Sequence, residues 1–420
     1  MLGALFLLAA PLAAALPPYV VETTTTVSHE RRDLPIVNAL AERPVENTYI
    51  AVFNSTFGSE AIDARISAMS STIQKRNLNK RGLDGAYLST EMKSITLGDW
   101  RCAAFQGDAA TVKEFNAADE VAYVEADTWY KTTAAIMQTN APPGLNRLSH
   151  ARAGEQGYIF DEAACQGMTV YVVDTGVRVD HVEFEGRAVM GANFVNNVDT
   201  DENGHGSHVA GTIAGATFGV CKKANIVGVK VLGADGSGQN QGILQGMQFV
   251  LNDVKKKGLQ NKAVMNMSLG GGFSQALNRA IGALLAGGIV PVVAAGNEKK
   301  DASGTSPASA PQAITVGAID ATNDQFATFS NFGSVVDVNG PGVKVLSVGI
   351  ASKVATNVLS GTSMASPHVA GLTAYVMGLT GRQASEMSDV IKNLATNSPA
   401  KVKGIAQGTT PLIVNNGNLT

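Results

Sequence analysis

For a chain of 420 residues this sequence has little cysteine, little tryptophan and little charge. It holds three cysteines and two tryptophans, and 16% of its residues are charged, for a net charge of -3. Three thiols exclude a fold scaffolded by disulfides. The absence of a basic excess excludes recruitment to nucleic acid or to an anionic membrane by charge alone. There is no internal repeat, and no apolar stretch is long enough to span a bilayer. The apolar run at residues 1–15 is too short for a span, lacks a lysine or arginine, and ends in Ala13-Ala14-Ala15. Small residues after a short apolar run read as a secretory signal peptide with its cleavage site.

What is present is ample apolar chain, 45% of the residues, enough for a large core. Residues 16–46 are rich in Pro, Thr and charge and read as a linker. Residues 47–130 alternate short strands (Thr48–Phe53, Ile95–Leu97, Ala103–Phe105, Val121–Ala126) with helices over 60–77 and 110–118, a small α+β unit. A polar joint follows at 131–137. From 138 to 420 the pattern is β/α alternation, with strands expected at 168–174, 225–232, 263–269, 289–295, 313–319 and 335–339, and helices between them. Continuous Val/Ile/Ala strands separated by helices predict an α/β fold with a doubly wound, mainly parallel sheet. Ligands of such sheets bind at the carboxyl ends of the strands. Cys165 and Cys221 both fall in this domain, apart from Cys102, and are either bridged or two buried thiols.

The strand ends carry the chemistry. Val170-Tyr-Val-Val-Asp174-Thr-Gly ends a strand on an aspartate, and Gly204-His205-Gly-Ser-His208 opens a helix on a histidine. Val292-Val-Ala-Ala-Gly-Asn297 delivers an asparagine. Gly361-Thr-Ser363-Met-Ala-Ser-Pro367-His places a serine at the start of a small-residue helix, with Pro367 expected in its first turn. A serine hydroxyl is a weak nucleophile until an imidazole takes its proton, and the imidazole needs a carboxylate to fix its tautomer. Each motif alone has a competing reading: a capped turn for Asp174 or Ser363, metal ligands on one helical face for His205 with His208, and a turn for Asn297. Together, in the order Asp, His, Asn, Ser, they supply orienting carboxylate, base, oxyanion donor and nucleophile.

These four motifs resemble the subtilisin family of serine proteases, in particular its fungal proteinase K-like branch. The likeness runs from about residue 140 to the C-terminus, and residues 47–130 resemble the inhibitor-type propeptide of that family. By this resemblance Ser363 is the nucleophile, His205 the general base, Asp174 the orienting carboxylate, and Asn297 with the Ser363 N–H the oxyanion hole; His208 is structural. Ser268, Leu269 and Gly270 resemble the edge strand on which substrate adds as a β-strand, and Gly236, Ser237 and Gly238 the facing edge. Ala294, Ala295 and Gly296 would line an S1 pocket whose small uncharged walls imply cleavage after aromatic and aliphatic residues. The resemblance also implies a structural calcium held by the Pro311 and Ala313 carbonyls and the Asp337 carboxylate, oxygen ligands suited to a hard cation. Three departures stand out: a second calcium site lacks its acidic ligand, the cysteine pattern differs, and Asn240 replaces a tyrosine on the S4 rim.

The implied function is that of a secreted, monomeric endopeptidase acting on proteins and peptides, with calcium as its only implied ion and its own propeptide as inhibitor and folding aid. Processing is expected near Ala135 or Ile136, which would leave the mature enzyme without Trp100 and Trp129. The competing readings are a secreted binding protein that kept the fold without the chemistry, and a secreted esterase using the same triad. Asn54 and Asn418 are candidate glycosylation sites, and Asn266 matches that pattern within an expected buried strand.

Overall fold

A computed structural model of the chain describes residues 44–82, 85–128 and 135–418. The residues assigned to the signal peptide, nearly all of the linker and residues 131–134 of the joint lie outside these. The chain divides into two compact units, the first ending at Trp129 and the second beginning at Tyr130.

The first unit is a four-stranded antiparallel sheet in the order Lys93–Leu97, Trp100–Gln106, Pro44–Phe53, Val121–Thr128. Its first strand begins at Pro44 rather than at the expected boundary near Asn47. Helices Ser59–Asn77 and Ala109–Asn116 contribute Ile62, Met69, Ile73, Val112 and Phe115 to a core shared with Phe53, Phe105 and Val124. Asp108 caps the second helix by accepting from the Thr111 N–H at 2.8 Å. Cys102 is a buried free thiol of this unit.

The second unit is built on one large sheet with the order Gln325–Phe326, Ile314–Asp320, Ile289–Ala294, Ala263–Met267, Thr169–Asp174, Asn225–Lys230, Ala188–Asn193; Val338–Pro341 also pairs with Ile314–Asp320. Every pairing is parallel except that of the two-residue Gln325–Phe326 edge. The Thr169–Asp174 and Ala263–Met267 strands are buried at every position, as β-branched and apolar runs covered on both faces must be. Successive strands are laid down to one side of Thr169–Asp174 as far as Lys230, and to its other side from Ala263 onward. That reversal opens a crevice at the carboxyl end of the sheet, and Asp174 is the last residue of the strand where it occurs.

Two helices are stationed at the crevice. His205–Ala214 follows Gly204, whose φ of 103° is open to glycine and strained for other residues. Thr362–Thr380 is buried almost around its circumference and runs through the core. Pro367 is therefore the sixth residue of this helix and lies inside it, not in its first turn. Cys165 and Cys221 are bridged, with Cα atoms 5.4 Å apart. The sheet-edge strand Ala188–Asn193 and the hairpin Val345–Val348/Thr356–Leu359 carry too short or too mixed a pattern to be read from the sequence, whereas the helix Met387–Asn397, absent from the expected elements, repeats Met387, Val390, Ile391, Leu394 and Ala395 at helical spacing.

Candidate active site

Asp174 is fully buried at its strand end. Its Oδ1 accepts from the Thr175 N–H at 2.7 Å and meets His205 Nδ1, also at 2.7 Å. Burial works against the charged imidazole, but the Asp174 charge and hydrogen bond, with Asp201 adding, more than offset it and hold the His205 pKa above the ordinary histidine value. A second buried carboxylate organises this corner. Asp201 accepts from Thr175 Oγ1 (2.8 Å), the Gly204 N–H (2.8 Å) and the Ser207 N–H and hydroxyl (2.8 and 2.6 Å). It thereby fixes the turn from which the His205 helix starts. His208, one turn on, is buried against the Val345 carbonyl at 2.9 Å, and burial pushes its pKa down to about 4.

Ser363 stands on the other side of the crevice. Its hydroxyl donates to the Ser268 carbonyl at 3.2 Å, and the Ser268 hydroxyl donates to the Ser363 carbonyl at 2.8 Å. Among the described residues no hydrogen bond joins Ser363 to His205. The Ser268 hydroxyl also accepts from Asn266 Nδ2 at 3.0 Å, and Asn266 Oδ1 accepts from Ser366 Oγ at 2.7 Å. Asn266 is thus buried and fully engaged, which removes it as a glycosylation site. Asn297 Oδ1 accepts from both the N–H (2.8 Å) and the hydroxyl (2.9 Å) of Thr362. That leaves its Nδ2 donors to the cavity it shares with Ser363.

The crevice has two lobes. One, of about 440 Å³, is bounded by His205, Leu232, Gly236, Ser237, Gly238 and Asn240 on one side and by Ser268, Leu269 and Gly270 on the other. The second, of about 370 Å³, lies between Ser268–Gly272 and Ala294–Asn297 and opens on Ser363. All the residues expected to bind substrate therefore line one or other lobe. Sequence reasoning missed Glu298 and Lys300, which also line the second lobe. Glu298 Oε2 accepts from the buried Asn331 amide at 2.8 Å and faces the Lys300 ammonium at 3.9 Å. The adjacency of Glu298 to Asn297 was the signal available. Thr362 was missed too, beside the more conspicuous Ser363.

Of the expected calcium ligands, Asp337 is bonded to Thr315, two residues beyond Ala313. Thr315 lies on the Ile314–Asp320 strand and Asp337 immediately precedes the Val338–Pro341 strand paired with it, the Asp337 N–H donating to the Thr315 carbonyl and the Thr315 N–H to Asp337 Oδ2, both at 2.9 Å. Burial raises the Asp337 pKa, and Lys392 stands 3.6 Å from its Oδ1.

Residues 165–409 match the subtilase family of peptidases. This chain is 42% identical to subtilisin-like protease 2 of Pseudogymnoascus destructans over 97% of each chain. It is 43% identical to alkaline protease 1 of Aspergillus clavatus over 86% of this chain and 89% of that one. The chain belongs to the subtilase family. Among solved structures, this subtilase resembles a cold-adapted subtilisin-like serine proteinase, at a TM-score of 0.61 and 39% identity, over 66% of this chain and 98% of that one. It is a serine endopeptidase with a subtilisin-like fold. Among its described residues no helix is long and apolar enough to cross a membrane.

Proposed function

We propose that this subtilase cleaves proteins through a Ser363–His205–Asp174 triad and an acyl-enzyme. The observation that carries the assignment is the 2.7 Å bond between His205 Nδ1 and the buried Asp174 carboxylate, in a crevice that also holds Ser363. A substrate peptide adds as a strand to Ser268–Gly270, with Gly236–Gly238 on its other side. Ser363 turns its hydroxyl from the Ser268 carbonyl to His205 Nε2 and attacks the scissile carbonyl as the imidazole takes its proton. Asp174 keeps the proton on Nδ1 and steadies the imidazolium. The oxyanion receives the Asn297 Nδ2 donor and the Ser363 N–H, the latter at a helix N-terminus where backbone donors are unpaired. His205 then protonates the leaving amine, and water repeats the sequence in reverse order.

The small walls formed by Ala294, Ala295 and Gly296 favour aromatic and aliphatic P1 side chains. Glu298 and Lys300 add a polar end to that lobe, so long P1 side chains with a basic tip are also accepted. The protein is exported under its N-terminal signal. The 47–130 unit serves as folding aid and inhibitor until cleavage near Ala135 or Ile136, and the enzyme then acts as a monomer. The carbonyls of Pro311 and Ala313 and the Asp337 carboxylate would hold a calcium ion, whose charge would stabilise the segments that lead into two paired strands. The decisive experiment is Ser363→Ala assayed on casein, beside wild type treated with a serine-directed sulfonyl fluoride. Loss of activity in both is expected, and retained activity in either overturns the assignment.

A further inference from the structure

Lys230 is the last residue of the Asn225–Lys230 strand, opposite Asp174 in the parallel register, and its side chain is fully buried. An ammonium ion is rarely found without water unless all its donors are paired. Here three oxygens surround it: the Thr175 carbonyl at 2.7 Å, the Leu232 carbonyl at 3.1 Å and Glu202 Oε2 at 3.5 Å. Each belongs to a different part of the reaction centre. Thr175 follows Asp174 and donates its own N–H to that carboxylate at 2.7 Å. Glu202 lies three residues before His205, in the loop whose Asp201 sets the start of the His205 helix. Leu232 is a wall of the lobe in which substrate lies. Nothing in the reaction uses the Lys230 charge directly, because no atom of Lys230 lines either lobe.

We propose that Lys230 is a positioning residue whose buried ammonium holds the Asp174 strand end, the loop leading to His205 and the Leu232 wall in one fixed arrangement. The 195–202 loop, between the Ala188–Asn193 strand and the His205 helix, is largely exposed and adopts neither strand nor helix, so its position rests on side-chain bonds such as those of Asp201. The three acceptors around Lys230 Nζ add a second tie, and the one that reaches the Leu232 wall. The inference rests on the assignment of Asp174 and His205 above.

The test is kcat per titrated active site, measured on a four-residue peptide amide after counting sites by burst titration, in wild type, Lys230→Met, Lys230→Arg and Glu202→Gln. Misplacing a reacting group by 1 Å costs roughly 100-fold. Lys230→Met is therefore expected to lower kcat per site by about tenfold or more, with KM within about twofold. Lys230→Arg, which keeps charge and donors, is expected to recover part of the loss. A purely structural lysine would reduce the number of titrated sites and the melting temperature, and leave each surviving site at full speed. Per-site kcat within about twofold of wild type in Lys230→Met overturns the proposal. If that variant yields no folded protein, Glu202→Gln and Lys230→Arg decide the matter: a loss of about threefold in each is expected, and unchanged kcat in both overturns the proposal. Absence of any burst in the wild-type enzyme would instead refute the triad assignment.

Discussion

Pro367 follows Ser363 by four residues in one helix, and so the Ser363 carbonyl has no helical N–H to receive. The Ser268 hydroxyl occupies that acceptor at 2.8 Å, which fastens the nucleophile's turn to the strand on which substrate adds. A ring that breaks one helical bond thus creates a cross-link between the two halves of the site. Ser268→Ala leaves the Ser363 carbonyl and the Asn266 amide short of a partner, at about 1–3 kcal/mol for an unpaired buried group. The expected outcome is a fall in kcat at little change in KM, together with a lower melting temperature, read by peptide kinetics and calorimetry.

Thr362 holds Asn297 by two donors and accepts from the Gly296 N–H at 3.0 Å. Thr362→Val is nearly isosteric, keeps the backbone bond and removes the hydroxyl. Loss of an oxyanion donor outright, as in Asn297→Ala, is expected to lower kcat by roughly 100- to 1000-fold. Thr362→Val should give a smaller loss in kcat with KM unchanged, because only the aim of the donor suffers. A Thr362→Val enzyme with a changed KM and normal kcat would contradict this.

The histidines act on stability in two opposed ways as pH changes, and His205 also sets the acid limb of activity. His205 must be neutral to act, and its pKa is raised above the ordinary value of 6.5, so the acid limb of kcat/KM is expected to lie above that value. Asp174→Asn is expected to move the His205 pKa down and to lower kcat by about 10⁴-fold. As for stability, the His205–Asp174 charge pair contributes fully below the unfolded histidine pKa, and this is lost as pH rises through the raised folded value. His208 and His368 run the other way. Burial lowers both from 6.5 to about 4, so they stay neutral in the fold while the unfolded chain takes up protons. Melting temperature in the Ser363→Ala background, free of self-digestion, is therefore expected to fall between pH 6.5 and 4.

Glu298 is half exposed, with 56% of its side chain open to solvent. Screening keeps its charge effect on a P1 lysine to about 1 kcal/mol or less. With paired peptides differing only at P1, Glu298→Gln is expected to lower the preference for Lys over Leu by about three- to fivefold. An unchanged ratio would leave the polar end of the lobe without a role in selection.

Calcium is expected to raise the melting temperature, and a chelator to lower it, with Asp337→Asn abolishing both responses. Lys392 competes for the same carboxylate, so Lys392→Ala is expected to lower the calcium concentration needed for half the stabilisation.

Much of the catalytic unit was legible because its strands are apolar throughout and its helices long, so the two periods separate cleanly. Asp174, His205, Asn297 and Ser363 each punctuate such an element, and a strand end or helix start is visible in one dimension. What could not be read depends on contacts between distant segments. The Pro367 reading failed because the helix begins at Thr362, where Asn297 caps its N-terminus by accepting from the Thr362 N–H. The bridge between Cys165 and Cys221 was one of two open readings, because pairing is set by Cα separation rather than by spacing along the chain. Lys230 reads as an ordinary charged strand residue until the three oxygens around it are known.

The Cys165–Cys221 bridge closes a covalent ring of chain that contains both Asp174 and His205 and leaves Ser363 outside. The most exposed part of that ring is residues 195–200, a natural target for an enzyme that digests its own kind. A single cut there opens the ring without releasing either arm, so the carboxylate and the imidazole stay tethered in one molecule. Only a cut combined with reduction breaks the last covalent link between them, so nicked enzyme is expected to outlast its reduced counterpart in an oxidising medium.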